Sequence, residues 1–240
     1  MPVLFPRLVP VMSQRSRALA AALRSLCAAA AVALAWLCAA APDLDRMQSQ
    51  AAERFGSTAA ELVAAWRRLL GESAAETDAD KLARVNTFFN RRLLFEDDSV
   101  VWRQNDYWAT PLETMGRGAG DCEDFAIAKY MTLRLLGVPA DKLRLIYVRA
   151  QIGGPGSTAS QAHMVLGYFA APTDEPLVLD NLISEIRPAA RRPDLFPVFS
   201  FNDEGLWVAG ASTSSADPTA RLSRWRDALD RMRREGLTLP

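Results

Sequence analysis

"GAGDCEDFAIAKYMTLRLLGVP", residues 118–139, runs from a glycine-rich turn into a helix and then to a stop. Asp121 stands where a helix N-cap belongs, and Gly137 and Pro139 close the run after Leu136. Ala126, Ala128, Tyr130, Leu133 and Leu136 suit a buried helix packed closely on a sheet. Strand signals follow at once: "KLRLIYVRA" (142–150), "AHMVLGYF" (162–169) and "PLVLDNL" (176–182). The Gly/Ser-rich "GGPGSTASQ" separates the first two, and "AAPTDE" makes a hairpin link between the last two. Short strands are expected near "PVFSFN" and "LWVAG". Helices first and then an antiparallel sheet predict an α+β fold, not alternating βαβ units.

Upstream, residues 43–72 are Ala-rich and helix-prone, with Gly56 and Gly71 as expected breaks. "DADKLARVNTFFNRRLLF" (78–95) predicts an amphipathic helix capped by Asp78 or Asp80, with Leu82, Val85, Phe89 and Leu93 near 3.6-residue spacing. "EDDSVVWRQNDYWATP" (96–111) reads as a polar, aromatic loop. At the other end, "ASTSSADP" (211–218) reads as a linker, and "RLSRWRDALDRMRRE" (221–235) as one amphipathic helix striped by Leu222, Trp225, Leu229 and Met232. The expected organisation is a helical segment over 42–77, a main domain over 78–210, and a linker with a C-terminal helix over 211–240. The 240 residues, half of them apolar, suffice for one sizeable core.

Residues 1–41 carry Arg7, Arg15, Arg17 and Arg24 and no acid. The apolar run "LCAAAAVALAWLCAAA" (26–41) follows and ends in Ala-x-Ala before Pro42, which predicts a signal peptide and a periplasmic protein. An uncleaved anchor is the alternative, although the run falls short of the roughly 20 residues that span a bilayer. Beyond residue 41, the 28 basic residues less those four leave 24 against 28 acidic, a net −4 that argues against a nucleic-acid partner. Cys27 and Cys38 lie in the leader, so the body keeps one thiol, Cys122, and one histidine, His163. An intramolecular disulfide is then impossible in the body, and a lone Cys with a distant His is the pattern of a nucleophile and its base.

Cys122 lies among three acids, Asp121, Glu123 and Asp124, although a reactive thiolate needs an electropositive setting. With Asp121 as N-cap, Cys122 becomes the first helical residue, where unpaired N–H groups and the positive helix end favour the thiolate. Asp121 and Asp124 would share the capping, and Gly116, Gly118 and Gly120 would let the backbone turn and approach a substrate. His163 starts a strand and Asp180 ends the next, so an antiparallel hairpin brings them together. Asp180 would then orient the imidazole, and His163 would take the thiol proton. The Cys122 N–H is a candidate oxyanion donor, with the indoles of Trp102 and Trp108 as weaker ones.

The blocks "DYWATPLETMGRGAGDCEDFAIAKYMTLRLLGVP" (106–139), "QAHMVLGYF" (161–169), "PLVLDNL" (176–182) and "RPDLFPVFSFNDEGLW" (192–207) closely resemble the bacterial transglutaminase-like cysteine proteinases. The match runs from about residue 80 to 210. The resemblance implies a transglutaminase-like/papain-like cysteine proteinase fold with Cys122 as nucleophile, His163 as base and Asp180 as orienting acid. It further implies calcium bound by Asp121 and Glu123, the acids on either side of the cysteine, and Asp124 stands where it can add an oxygen. Successive helical side chains diverge by about 100°, so Asp121 and Glu123 can turn from the thiol toward a cation that neutralises them. The implied substrate is a large surface adhesin cut near its N-terminus, which disperses biofilm. The implied inhibitory partner is an inner-membrane receptor responding to cyclic di-GMP. Two rivals stand beside this reading: transglutaminase-type acyl transfer, and a calcium-binding interaction module with a vestigial triad.

Overall fold

A computed structural model of the protein describes residues 41–154, 156–209, 211 and 213–239. Residues 42–240 form one compact unit, which holds the sheet and the candidate site. The expected leader, with Cys27 and Cys38, lies outside the described residues. Among the described residues no helix is long and apolar enough to cross a membrane.

Three helices open the unit: α1 (Leu44–Phe55), α2 (Ser57–Ser73) and α3 (Asp78–Arg92). Gly56 separates the first two as expected, with φ +93°. Gly71 does not break α2, because the flanking Leu69 and Ser73 are buried and their packing outweighs the roughly 1 kcal/mol that an interior glycine costs. The cap of α3 is Thr77, whose Oγ1 accepts from the Asp80 N–H, rather than Asp78 or Asp80. Asp78 instead accepts from Lys142 and from the Tyr168 hydroxyl, tying α3 to the sheet.

The expected loop at 96–111 contains a single helical turn, α4 (Asp98–Val101). Next comes α5 (Pro111–Arg117), begun by a reciprocal capping box between Thr110 and Glu113 with proline at its first position. Gly118 ends α5 in the left-handed region (φ +67°), where other residues are strained. Two short strands, β1 (Leu94–Phe95) and β2 (Ala119–Gly120), then pair in parallel. This clamp fixes the backbone immediately before Cys122.

The central helix α6 (Cys122–Leu135) is buried on all sides from Asp124 to Arg134. Its small and apolar residues face the sheet on one side and α2, α3 and α5 on the other, as a helix without a solvent face must. The sheet comprises β3 (Leu143–Gln151), β4 (Ser160–Tyr168), β5 (Leu177–Leu179), β6 (Arg187–Pro188), β7 (Leu195–Phe201) and β8 (Leu206–Val208). All neighbours are antiparallel, in the order β6-β5-β4-β3-β7-β8. The fold is thus the expected α+β arrangement of helices on an antiparallel sheet.

The C-terminal helix is two pieces, α7 (Pro218–Arg221) and α8 (Ser223–Glu235), because Leu222 takes extended backbone between them. Its stripe packs onto the body: Trp225, Ala228 and Met232 are fully buried, and Trp225 meets Tyr130 and Phe201 edge-on at 6.0 and 5.5 Å.

Candidate active site

A cleft of about 510 Å³ opens at the start of α6, lined by Asp121, Cys122 and Glu123 from the helix, Tyr147 from β3, and Gln161 to Met164 from β4. Phe95, Asp97, Asn105, Asp106 and Trp108 close the remaining side. Behind its aromatic wall Tyr147 stacks on Phe199 at 5.1 Å and Trp108 on Phe201 at 5.6 Å. The C-terminal helix holds this wall in place. Arg224 pairs with Asp106 at 2.9 Å, and Arg231 donates to the Trp108 carbonyl at 2.6 Å.

Cys122 and His163 face the same cleft, and the Cys122 thiol receives the backbone N–H of Met164, the residue next to His163. His163 Nε2 lies 2.9 Å from Asp180 Oδ1. The sheet register explains this contact. Leu166 pairs with Leu179, so Asp180 leaves β5 diagonally beside His163 on the neighbouring strand. With the proton on Nε2 facing the carboxylate, Nδ1 carries the basic lone pair. The Asp180 carboxylate is held at both oxygens: Oδ1 also accepts from the Leu182 N–H at 3.0 Å, and Oδ2 accepts from Arg192 Nη2 at 2.8 Å. Burial by itself would raise the Asp180 pKa, but the bond to His163, the His163 charge, the Leu182 N–H and Arg192 outweigh it and bring it to about 2. Lys129 of α6 is also buried near Asp180, and burial lowers its pKa to about 7 against the pull of that carboxylate.

The acids around the thiol are arranged differently from expectation. Asp121 occupies the N-cap position but makes no side-chain cap. Asp124 instead reaches back: its Oδ1 accepts from the Ala109 N–H at 2.7 Å, and the carboxylate also takes the Asp121 N–H. Glu123 does not turn from the thiol. Its Oε2 lies 3.0 Å from Cys122 Sγ, because the first turn folds this long side chain back across the helix start. Burial, then the charge and hydrogen bond of Glu123, hold the thiol well above its usual range. Gly120 serves this packing, since a Cβ there would meet Asp124 Oδ2 at 2.5 Å.

A further acid, Asp98, joins the group from α4. Its ligand atom and those of Asp121 and Asp124 all lie within 4.8 Å of one another, and Asp98, Asp106 and Glu123 form a second such set. Asp98 Oδ1, Asp121 Oδ1 and Asp124 Oδ2 are buried without a hydrogen-bond partner. Burial and the charges of Glu123, Asp106 and Asp97 raise Asp98 to about 6, and burial with the charges of Glu123 and Asp124 pushes Asp121 well above the usual carboxylate range. Three neighbouring carboxylates, each with a buried partnerless oxygen, fit a hard cation such as Ca²⁺, which takes several oxygen ligands. Asp98 and Asp106 were not legible as candidate ligands; for Asp98 the available signal was "EDD" (96–98) ahead of an aromatic loop. Trp102 packs on Tyr107 at 4.7 Å outside the cleft, and the Trp108 indole N–H donates to Asp106.

A family model described as bacterial transglutaminase-like cysteine proteinase matches residues 63–213. The chain belongs to this family. Solved structures of Legionella pneumophila LapG agree with it in fold. EGTA-treated LapG shares 39% identity at a TM-score of 0.69, covering 80% of this chain and 100% of that one. Calcium-bound LapG gives 39% and 0.66, covering 79% and 98%. No curated protein matches the chain significantly. Membership makes the protein a cysteine protease.

Proposed function

We propose that this bacterial transglutaminase-like cysteine proteinase is a calcium-dependent periplasmic endopeptidase. In this reading it cuts a large surface adhesin near its N-terminus and so promotes biofilm dispersal. The reading is carried by His163, which lines the same cleft as Cys122 and is paired with the buried Asp180 at 2.9 Å. Cys122 transfers its proton to His163 Nδ1 and attacks the scissile carbonyl. The charge that develops on the carbonyl oxygen is met by the Cys122 N–H at the positive end of α6. His163 returns the proton to the leaving amine, and water then hydrolyses the acyl-enzyme with His163 again as base. Asp180 holds the ring in the productive tautomer and stabilises its charged form.

Asp98, Asp121 and Asp124 would hold calcium, with Asp106 and Glu123 beside them. When bound, the ion supplies positive charge that offsets carboxylates otherwise opposed to the thiolate. Calcium is recorded on LapG itself, and the orphaned oxygens extend that expectation to this chain. The inhibitory partner in this reading is an inner-membrane receptor that responds to cyclic di-GMP.

The test is incubation with an N-terminal fragment of a large repeat adhesin from the same genome. The expected result is one cut in calcium and none in EGTA. An intact fragment in calcium would refute the substrate assignment. Incorporation of an added amine at the new end would indicate acyl transfer in place of hydrolysis.

A further inference from the structure

We propose that Arg192 is a positioning residue for the His163–Asp180 pair, clamping the carboxylate so that one oxygen is always presented to the imidazole. The inference rests on the proteinase reading only for its kinetic arm. Asp180 divides its partners cleanly: Oδ1 serves His163 and Leu182, while Oδ2 receives the Arg192 guanidinium at 2.8 Å. A carboxylate held at both oxygens cannot rotate about its Cβ–Cγ bond, so Oδ1 cannot swing from Nε2.

Arg192 is itself fixed. Its Nη2 also donates to Asp194 Oδ2 at 2.8 Å, and its Nε lies 3.1 Å from Asp194 Oδ1. Its backbone N–H closes the short 3₁₀ turn at Ala189–Arg191. The guanidinium is almost wholly buried, whereas Asp194 is partly exposed, so the clamp is anchored from the surface inward. Burying Asp180 as an anion needs a countercharge, and a planar guanidinium provides one with direction, which a lysine ammonium does not. The groups facing Asp180 are His163 from β4, Lys129 from α6, and Arg192, with Asp194 behind it, from the segment after β6. Lys129 adds charge but no hydrogen bond to Asp180 among those described, so the orientation falls to Arg192.

A merely architectural Arg192 would tie the 187–195 segment to the sheet and leave the imidazole untouched. Because His163 is the one histidine in the chain, ¹⁵N-imidazole spectra read its tautomer directly, without requiring turnover. In the full-length exported protein, wild type should show a single tautomer with the proton on Nε2 and a low-field proton resonance. Arg192→Met keeps the aliphatic volume and removes the fork. It should give mixed tautomers, lose that resonance, and lower kcat by about 100-fold with little change in KM, since small misplacements at a reacting group have that cost. Its acid limb of kcat against pH should also move upward as Asp180 becomes easier to protonate. Arg192→Lys should recover part of kcat and the Nε2 proton.

If Arg192→Met fails to fold, Asp194→Asn frees the anchored side of the guanidinium and should broaden the same resonance. An Arg192→Met or Asp194→Asn protein with the wild-type imidazole spectrum would overturn the proposal. A wild-type protein that shows the ordered tautomer yet cleaves nothing would count against the proteinase reading and leave the clamp standing.

Discussion

Three side chains carry the proposed chemistry, and each fails in a different way when removed. Cys122→Ala loses the nucleophile, His163→Ala the base, and Asp180→Ala the group that fixes the tautomer. Peptide cleavage should fall by about a thousandfold or more in each, with circular dichroism unchanged for Cys122→Ala. Double variants should be little worse than singles, because such groups act as a unit. Asp180 also links stability to acid. Its folded pKa of about 2 lies below the usual carboxylate value, so its contribution is full above about pH 4 and is lost as pH falls toward 2. The stability gap between wild type and Asp180→Asn, followed by denaturant melts, should therefore shrink across that window.

The acids near the thiol give the opposite sign. Asp98, Asp121 and Asp124 repel one another behind partnerless oxygens, so Asp98→Asn should raise the melting temperature in EGTA and reduce the rise on adding calcium. A calcium shift equal to wild type would remove Asp98 from the ligand set.

At the level of elements, the sequence spoke clearly wherever local chemistry and tertiary packing agreed. The α6 helix, its stop at Gly137, and the β3–β4 hairpin were legible from period and punctuation. The meeting of His163 with Asp180 was legible too, because antiparallel pairing is a local rule. The errors came where long-range contacts overrode local preference. Packing carries α2 through Gly71; Glu123, by contrast, meets the neighbouring thiol through a purely local contact that its rotamer decides. Arg192 gave no signal, being one of several arginines in "RPAARRPD", and only the sheet brings it to Asp180. The stripe on α8 was readable but not its destination, the aromatic layer behind the cleft. Trp225 is fully buried against Tyr130 and Phe201 and donates to the Asn202 carbonyl. Trp225→Ala should cost about 3–5 kcal/mol in denaturant unfolding. Loss of that layer should also loosen Trp108, which would appear as a raised KM in the variant.

For the molecule as a whole, residues 42–240 form one unit in which the first and last helices meet: the Asp43 N–H donates to the Gly236 carbonyl at 2.8 Å. Arg54 of α1 and Arg231 of α8 both pair with the buried Glu113, which joins both ends to the helix that precedes the cleft. The basic, apolar leader predicts export, and intact mass of the exported protein should place the mature N-terminus near Pro42. A membrane-bound species retaining residues 1–41 would favour the anchor instead.

The central claim is that Cys122 cleaves peptide bonds in a site governed by calcium, and a peptide library tests it most directly. Mature protein is incubated with proteome-derived peptides in calcium or in EGTA, and new termini are mapped by mass spectrometry. Wild type should generate new termini in calcium alone, and Cys122→Ala should generate none. Cleavage that persists in Cys122→Ala, or that wild type performs equally well in EGTA, would contradict it.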